Sequence, residues 1–335
     1  MSGVRRIILL VTSPRMPAGL LTAAAWDAVR AHPVLTEAES ELSAAVRAAG
    51  GTVSVVPADA ATVLAAAAEH GTVVWLAGPG GDEELARDLG LRLAREPGLG
   101  ELELMYGSWD PPGARLLDAV AVMDRLVSPG GDPWKRAQTH ATLAKYLLEE
   151  CYEAYDAIEA GDLTALREEL GDVLLQVLLH ARLAEERPEG ERWSIDDVAG
   201  GLVEKMIRRN PHVFAGAKVE DVDEIVDNWE EIKRAEKGRA SAMDGIALAQ
   251  PALTLAAKIL ERAERAGVYV PLPPSPEKPE SGEALGASLL VLVARARAAG
   301  LDAEAALRRA ALAYADEVRA VESATGSTAS GGEVG

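Results

Sequence analysis

The sequence predicts a mostly α-helical chain preceded by a small α/β domain. Three observations carry that expectation. Ala and Leu are abundant while Phe occurs once, at Phe214, a balance that favours helices over a β-rich fold. Short β-rich runs in the first third alternate with helical segments, the order of an α/β unit. Residues 112–237 read as successive helices joined by short loops.

In the first third, Ile7–Val11, Thr52–Val56 and Thr72–Leu76 are the strand runs, with helices over Leu20–Ala31, Glu39–Ala49 and Glu83–Arg95. Gly78-Pro-Gly-Gly-Asp82 is a strand-to-helix turn, of a kind that approaches a phosphate or closes a plain tight turn. A helix near Leu116–Leu126 leads to the loop Ser128-Pro-Gly-Gly-Asp-Pro133. Helices are expected at Thr139–Ala160, Asp162–Glu186, Ser194–Arg209 and Asp221–Lys237, the third marked by the S-x-x-D capping pattern of Ser194 and Asp197. Proline content makes Pro271–Ser281 a loop or linker, and the Ser/Gly-rich end from Ser323 is expected to lack regular structure.

At 335 residues, two or three domains are expected. The net charge of −19, from 53 acids against 34 bases with no basic tract, argues against nucleic-acid polymers and anionic membranes as partners. The lone Cys151 excludes an internal disulfide and a multi-cysteine zinc site, and is expected to pack as a small hydrophobe. Arg5-Arg6 precedes only Ile7–Val11, too short for a signal peptide, and no apolar run reaches the ~18 residues of a membrane span. The expected location is the cytoplasm.

Four carboxylates hold the chemistry. Glu150 and Glu153, and again Glu169 and Asp172, are spaced i, i+3, so each pair shares one helix face. Between them Gly161 stops one helix and Asp162 caps the next. The positions mirror each other about that break, since 150 + 172 and 153 + 169 both equal 322. An antiparallel hairpin then sets Glu153 against Glu169 and Glu150 against Asp172. A single Glu-Glu-x-x-Glu is commonly a solvated face. The matched register argues otherwise, as do Leu147, Leu148, Leu170, Leu174, Leu175 and Leu178, which flank the acids at helical spacing and place them along a packed seam. Facing acids repel unless cations lie between them, which points to Mg²⁺ and phosphate chemistry.

These residues resemble the MazG nucleoside triphosphate pyrophosphohydrolases, whose EExxE and ExxD signatures stand here as Glu149-Glu150-x-x-Glu153 and Glu169-x-x-Asp172. The likeness continues through Asp132-Pro-Trp134, Gln138-Thr-His140, Glu204–Phe214, Asn228–Lys237, Asp244-Gly-Ile and Gln250–Leu253. Lys135 and Asn210 depart from the family's acid and histidine at those places. The order of Val73–Leu76 before a glycine turn and Glu101–Met105 before Gly107-Ser108 faintly resembles the first half of tetrapyrrole methylases, too little for a complete methyltransferase site.

The residues and the resemblance together imply attack of water on the α-phosphorus of a nucleoside triphosphate, giving the monophosphate and pyrophosphate in nucleotide-pool house-cleaning. Glu150, Glu153, Glu169 and Asp172 would hold Mg²⁺, with Mn²⁺ as substitute. Glu149 is the candidate base, or a further ligand or supporting carboxylate. The resemblance assigns nucleotide binding to Lys205, Arg208 and Arg209, with Lys233 assisting; Trp229 and Trp134 could stack on the base. Competing readings are a narrow pyrophosphatase for dUTP, dCTP or phosphoribosyl-ATP, and a non-catalytic helical partner-binding protein.

An internal echo lies in the tail. Glu283-Ala-Leu-Gly-Ala-Ser-Leu-Leu290 follows Glu168-Glu-Leu-Gly-Asp-Val-Leu-Leu175 at an offset of 115, with Ala284 and Ala287 where Glu169 and Asp172 stood. The expected organisation is an α/β domain over 1–110, an all-α MazG-type catalytic bundle over 112–240, a decayed second repeat over 241–325, and a disordered tail over 326–335. Because Leu174, Val177, Leu178 and Leu179 spread round more than one helix face, a homodimer or higher homo-oligomer is expected.

Overall fold

The computed structural model describes residues 5–329 except 79–80, 218, 220 and 238–240. By compactness the chain forms two units, Met1–Leu202 and Val203–Gly335.

The first unit begins with five strands: β1 (Arg6–Val11), β2 (Val34–Thr36), β3 (Val53–Val55), β4 (Thr72–Leu76) and β5 (Glu101–Tyr106). Their order is β3-β2-β4-β1-β5, and the pairings are parallel. Central parallel strands are covered on both faces, which explains why β1 and β4 read as continuous apolar runs. On one face α1 (Ala23–Ala31) and α2 (Glu41–Ala48) bring Ala25, Val29 and Val46 onto Ile8, Leu10, Val74 and Leu76. On the other, α3 (Ala60–His70) and α4 (Glu83–Arg95) bring Val63, Ala67, Leu85 and Leu89 onto Ile7, Leu9, Val73 and Trp75. Caps trim the expected helices. Thr22 accepts from the Ala25 N–H, starting α1 at Ala23 and not Leu20, and a reciprocal Ser40–Ser43 capping box starts α2 at Glu41. Pro79 and Gly80 of the glycine turn lie outside the described residues; Asp82 closes it by accepting from the Trp75 indole at 2.5 Å and the Gly78 N–H at 3.3 Å.

After the sheet come α5 (Arg115–Val127), α6 (Pro133–Arg136), α7 (His140–Ala160), α8 (Leu163–Glu185) and α9 (Ile195–Arg209), whose last turns belong to the second unit. The α7–α8 hairpin is fixed at its tip as the sequence dictates. Gly161 is left-handed with φ 68°, and Asp162 accepts from the N–H groups of Thr164 and Ala165 at 2.9 and 3.0 Å. A Thr139–Thr142 capping box starts α7, and Ser194 and Asp197 cap α9. Helix α5 lies against α8, where Met123 and Val127 pack with Leu143, Leu178 and Leu179, and the Arg182 Nε donates to Asp124 at 2.8 Å. The apolar face of α8 that the sequence reading assigns to a second copy is therefore covered at Leu178 and Leu179 by α5 of the same chain.

The second unit contains α10 (Pro211–Phe214), α11 (Val222–Lys237), α12 (Ala252–Arg265), α13 (Gly282–Ala298) and α14 (Ala303–Ala329), with α12, α13 and α14 in mutual contact. Helix α14 continues to Ala329, so the stretch from Ser323, expected to be irregular, is helical there; the Ala and Glu residues leading into it are strong helix formers. Ser330–Gly335 lie outside the described residues. Among the described residues no single helix is long and apolar enough to cross a membrane.

Candidate active site

The mirror register of α7 and α8 brings the acids together. Glu150, Glu169 and Asp172 each offer a carboxylate oxygen, and these atoms lie within 4.8 Å of one another. All three side chains are half-buried, while Glu153 and Glu149 are exposed. Burial, then the charges of Asp172, Glu153 and Glu149, push the Glu150 carboxyl above its usual range. Glu169 is raised by burial first, then by Glu153 and Asp172. Glu153 thus stands at the rim, outside the three-acid set but against Glu169. Crowded oxygen donors that resist losing their protons suit a hard divalent cation, and no nitrogen or sulfur donor belongs to the set.

The seam changes character away from the turn. Below the acids, Tyr146 packs beside Leu143, Leu174 and Leu179. Gln176, one turn beyond Asp172, is 4% exposed and its Oε1 accepts no hydrogen bond from the protein. At the far end the Nδ1 atoms of His140 and His180 are hydrogen-bonded, with Trp193 ring-to-ring on His140 at 6.3 Å. Trp134, on α6, is half-exposed and meets Tyr146 edge-on at 5.7 Å, with the Lys135 ammonium 5.7 Å from its ring centre. Not all of the flanking leucines lie in the seam. Leu148 and Leu170 are 56% and 53% exposed. Cys151 is likewise exposed, not packed as a small hydrophobe.

The basic residues sit in the second unit. Glu236 of α11 gathers Arg208 at 2.6 Å and Arg209 at 2.6 and 3.1 Å. Hydrogen bonds from Arg209 and then Arg208 hold the Glu236 carboxyl down at about 2. Arg209 is 9% exposed and its guanidinium lies 5.4 Å from the Trp229 ring centre. Lys205 and Lys233 are half-buried on α9 and α11. Arg208, Arg209 and Trp229 of the expected set thus form one cluster around Glu236, a residue to which the sequence reading gave no role. Its signal was present: Glu236 is seven residues beyond Trp229, on the same helix face.

Comparison with known proteins gives a match of residues 138–214 to the MazG nucleotide pyrophosphohydrolase domain. An uncharacterized 26.1 kDa protein of Streptomyces cacaoi is 49% identical over 73% of this chain and 96% of its own length. The nucleoside triphosphate pyrophosphohydrolase of Mycolicibacterium smegmatis is 46% identical over 67% of this chain and 64% of its own. A protein of Thermotoga maritima named nucleoside triphosphate pyrophosphohydrolase/pyrophosphatase MazG is 37% identical, with 84% of its length aligned to 61% of this chain. The chain belongs to the MazG family. The MazG match takes in the hairpin, with all four acids and both signatures, and runs through α9 to Phe214. Trp134, Trp229, Lys233 and Glu236 lie outside the matched residues.

Proposed function

We propose that this MazG chain hydrolyses nucleoside triphosphates to the monophosphate and pyrophosphate. The observation that carries the reading is the convergence of Glu150, Glu169 and Asp172 within 4.8 Å on two facing helices. Glu150, Glu169 and Asp172, with Glu153 beside them, would hold a hard divalent ion such as Mg²⁺ or Mn²⁺, which would supply charge neutralisation at the phosphate oxygens and activation of water. Glu149, exposed and one residue before Glu150, takes the proton released by the attacking water. Lys205, Arg208 and Lys233 contact the triphosphate. Arg209, held by Glu236, supports Trp229 in stacking on the base, with Trp134 as a second stacking surface. An aromatic face accepts every base, so a broad substrate range follows.

The chain reads as three segments: an α/β part over 1–110, the catalytic helices over 112–240, and a second repeat over 241–325 that has lost its ligands. Supporting this, the sheet ends at Tyr106 and α12, α13 and α14 pack as their own set. The exposed Leu148 and Leu170 on the outer side of the hairpin fit a homodimer. The enzyme works in the cytoplasm, clearing unwanted nucleotides, without nucleic-acid or membrane partners. The test is incubation with a panel of NTPs and dNTPs plus Mg²⁺, resolving NMP, NDP, phosphate and pyrophosphate. Nucleoside diphosphate and orthophosphate as products would overturn the assignment, and turnover of a single nucleotide would replace it with the narrow pyrophosphatase.

A further inference from the structure

A hollow of about 390 Å³ opens in the N-terminal sheet, well away in sequence from the acids of the hairpin. Its position follows from topology. Strands β2 and β4 are neighbours, yet the chain leaves β2 towards β3 on one side and leaves β4 towards β5 on the other. The helices that follow them, α2 and α4, pack on opposite faces of the sheet. Crossovers that diverge in this way leave a crevice at the carboxyl ends of the strands, where open parallel sheets take ligands. The hollow lies there: Thr12 follows β1, Thr36 ends β2 and Ala77 follows β4. Its volume suits a small molecule.

The lining sets the chemistry. The half-buried Met16, Leu21 and Leu42, with the exposed Leu20 beside them, give an apolar wall, and Glu37 and Glu41 stand exposed at its rim. Among the described residues no Lys, Arg or His belongs to the lining, and Arg47 reaches one of its carboxylates, Glu39, in an ion pair. Arg15, in the same loop, is turned aside to Asp110 and, at 2.6 Å, to Asp118. At the helix starts beside it, the Ser40–Ser43 capping box engages the N–H groups of Ser40 and Ser43, and Thr22 accepts from the Ala25 N–H. An anion here would meet the carboxylates of Glu37 and Glu41, with Arg15 and Arg47 already paired to other acids, whereas an amine or other small cation would meet both an apolar wall and an opposite charge.

We infer that this hollow is a binding site for a small organic cation with an apolar body, separate from the nucleotide site. A matched pair of probes tests it on the full chain in saturating Mg²⁺: 4-phenylbutylamine and 4-phenylbutyrate, followed by amide chemical shifts in NMR. The amine should shift the amides of Met16, Ala18–Leu21 and Leu42 at millimolar concentration and the carboxylate should not. The Glu37→Gln/Glu41→Gln double variant, checked as folded by circular dichroism, should weaken the amine about tenfold. Equal shifts from both probes, no shift from the amine, or unchanged affinity in the double variant would each overturn the inference. None of these outcomes depends on hydrolysis at the hairpin, so the site stands or falls apart from the proposed activity.

Discussion

The Nδ1 atoms of His140 and His180 lie 2.7 Å apart, their rings parallel within 3°. One of the two must therefore present a bare nitrogen to the other's N–H, and two protonated rings cannot share this contact. Burial, then the charge of His140, lowers the pKa of His180. The unfolded chain takes up a proton near pH 6.5 that the folded chain resists, so stability falls as pH drops below that value. Urea midpoints between pH 8 and 5.5 should show this slope, and His180→Phe should flatten it. A variant with the wild-type slope would show that the pair is not its source.

The acids give the opposite sign. Glu150 and Glu169 have raised pKa values, so without divalent ions the folded chain holds protons that the unfolded chain releases. Their contribution therefore becomes favourable as pH falls through the upper carboxylate range and unfavourable above it. Mg²⁺ or Mn²⁺ at neutral pH should raise Tm, and Asp172→Asn should raise the ion-free Tm while abolishing the ion's effect. Hydrolysis in that variant should fall by at least about 100-fold. A full ion-induced shift in Asp172→Asn, read by calorimetry, would remove Asp172 from the site.

Two glycines separate backbone strain from crowding. At Gly161 a Cβ meets nothing within 4 Å, so Gly161→Ala carries only the left-handed strain of φ 68°, about 1 kcal/mol. At Gly131 a Cβ would lie 2.3 Å from the Leu126 carbonyl oxygen, and the loop before α6 must move. Chemical denaturation should therefore find Gly131→Ala the more damaging of the two.

The acid hairpin was legible because its information is local. Spacing, a glycine stop and an aspartate cap lie within 23 residues, from Glu150 to Asp172. The strand Val34–Thr36 was not, since three residues carry no alternation and its place is set by β3 and β4 on either side. Helix α3 escaped because an alanine-rich segment gives little amphipathic contrast. The docking of α5 on α8 was hidden for another reason: Asp124 and Arg182 are 58 residues apart, and no periodicity links them. That one contact changed the meaning of Leu178 and Leu179 from partner surface to internal core.

Glu236 is expected to matter for the shape of its cluster. Its Arg-bonded carboxylate sits at about 2, so the pairing persists from neutral pH down to strongly acid solution and is lost only as that value is approached. Glu236→Gln should lower Tm at pH 7, leaving the buried Arg209 without its anion, and should raise KM for nucleotide more than it lowers kcat. Unchanged Tm and KM would reduce Glu236 to a surface pairing.

The tail offers a direct test of the lost repeat. Where the hairpin has Glu169 and Asp172, α13 carries Ala284 and Ala287, which line a hollow with Pro273 and Pro274. Deleting Leu285–Gly335 should change stability or assembly by uncovering α12, while hydrolysis per folded site persists. A truncated chain that stays folded and oligomeric but inactive would show that the tail supplies functional groups.

Helix α5 is tied at both ends, by Arg15 to Asp118 on the side of the sheet and by Arg182 to Asp124 on the side of the hairpin. During synthesis these ties cannot close together. The last strand of the sheet is complete at Tyr106 and Asp118 can be claimed soon after, but Arg182 leaves the ribosome 58 residues later than Asp124. For that interval Met123 and Val127 have no hairpin to cover them. The growing chain passes through a stage in which its sheet can form while a greasy helix waits for its seat, the stage at which a chaperone has most to hold.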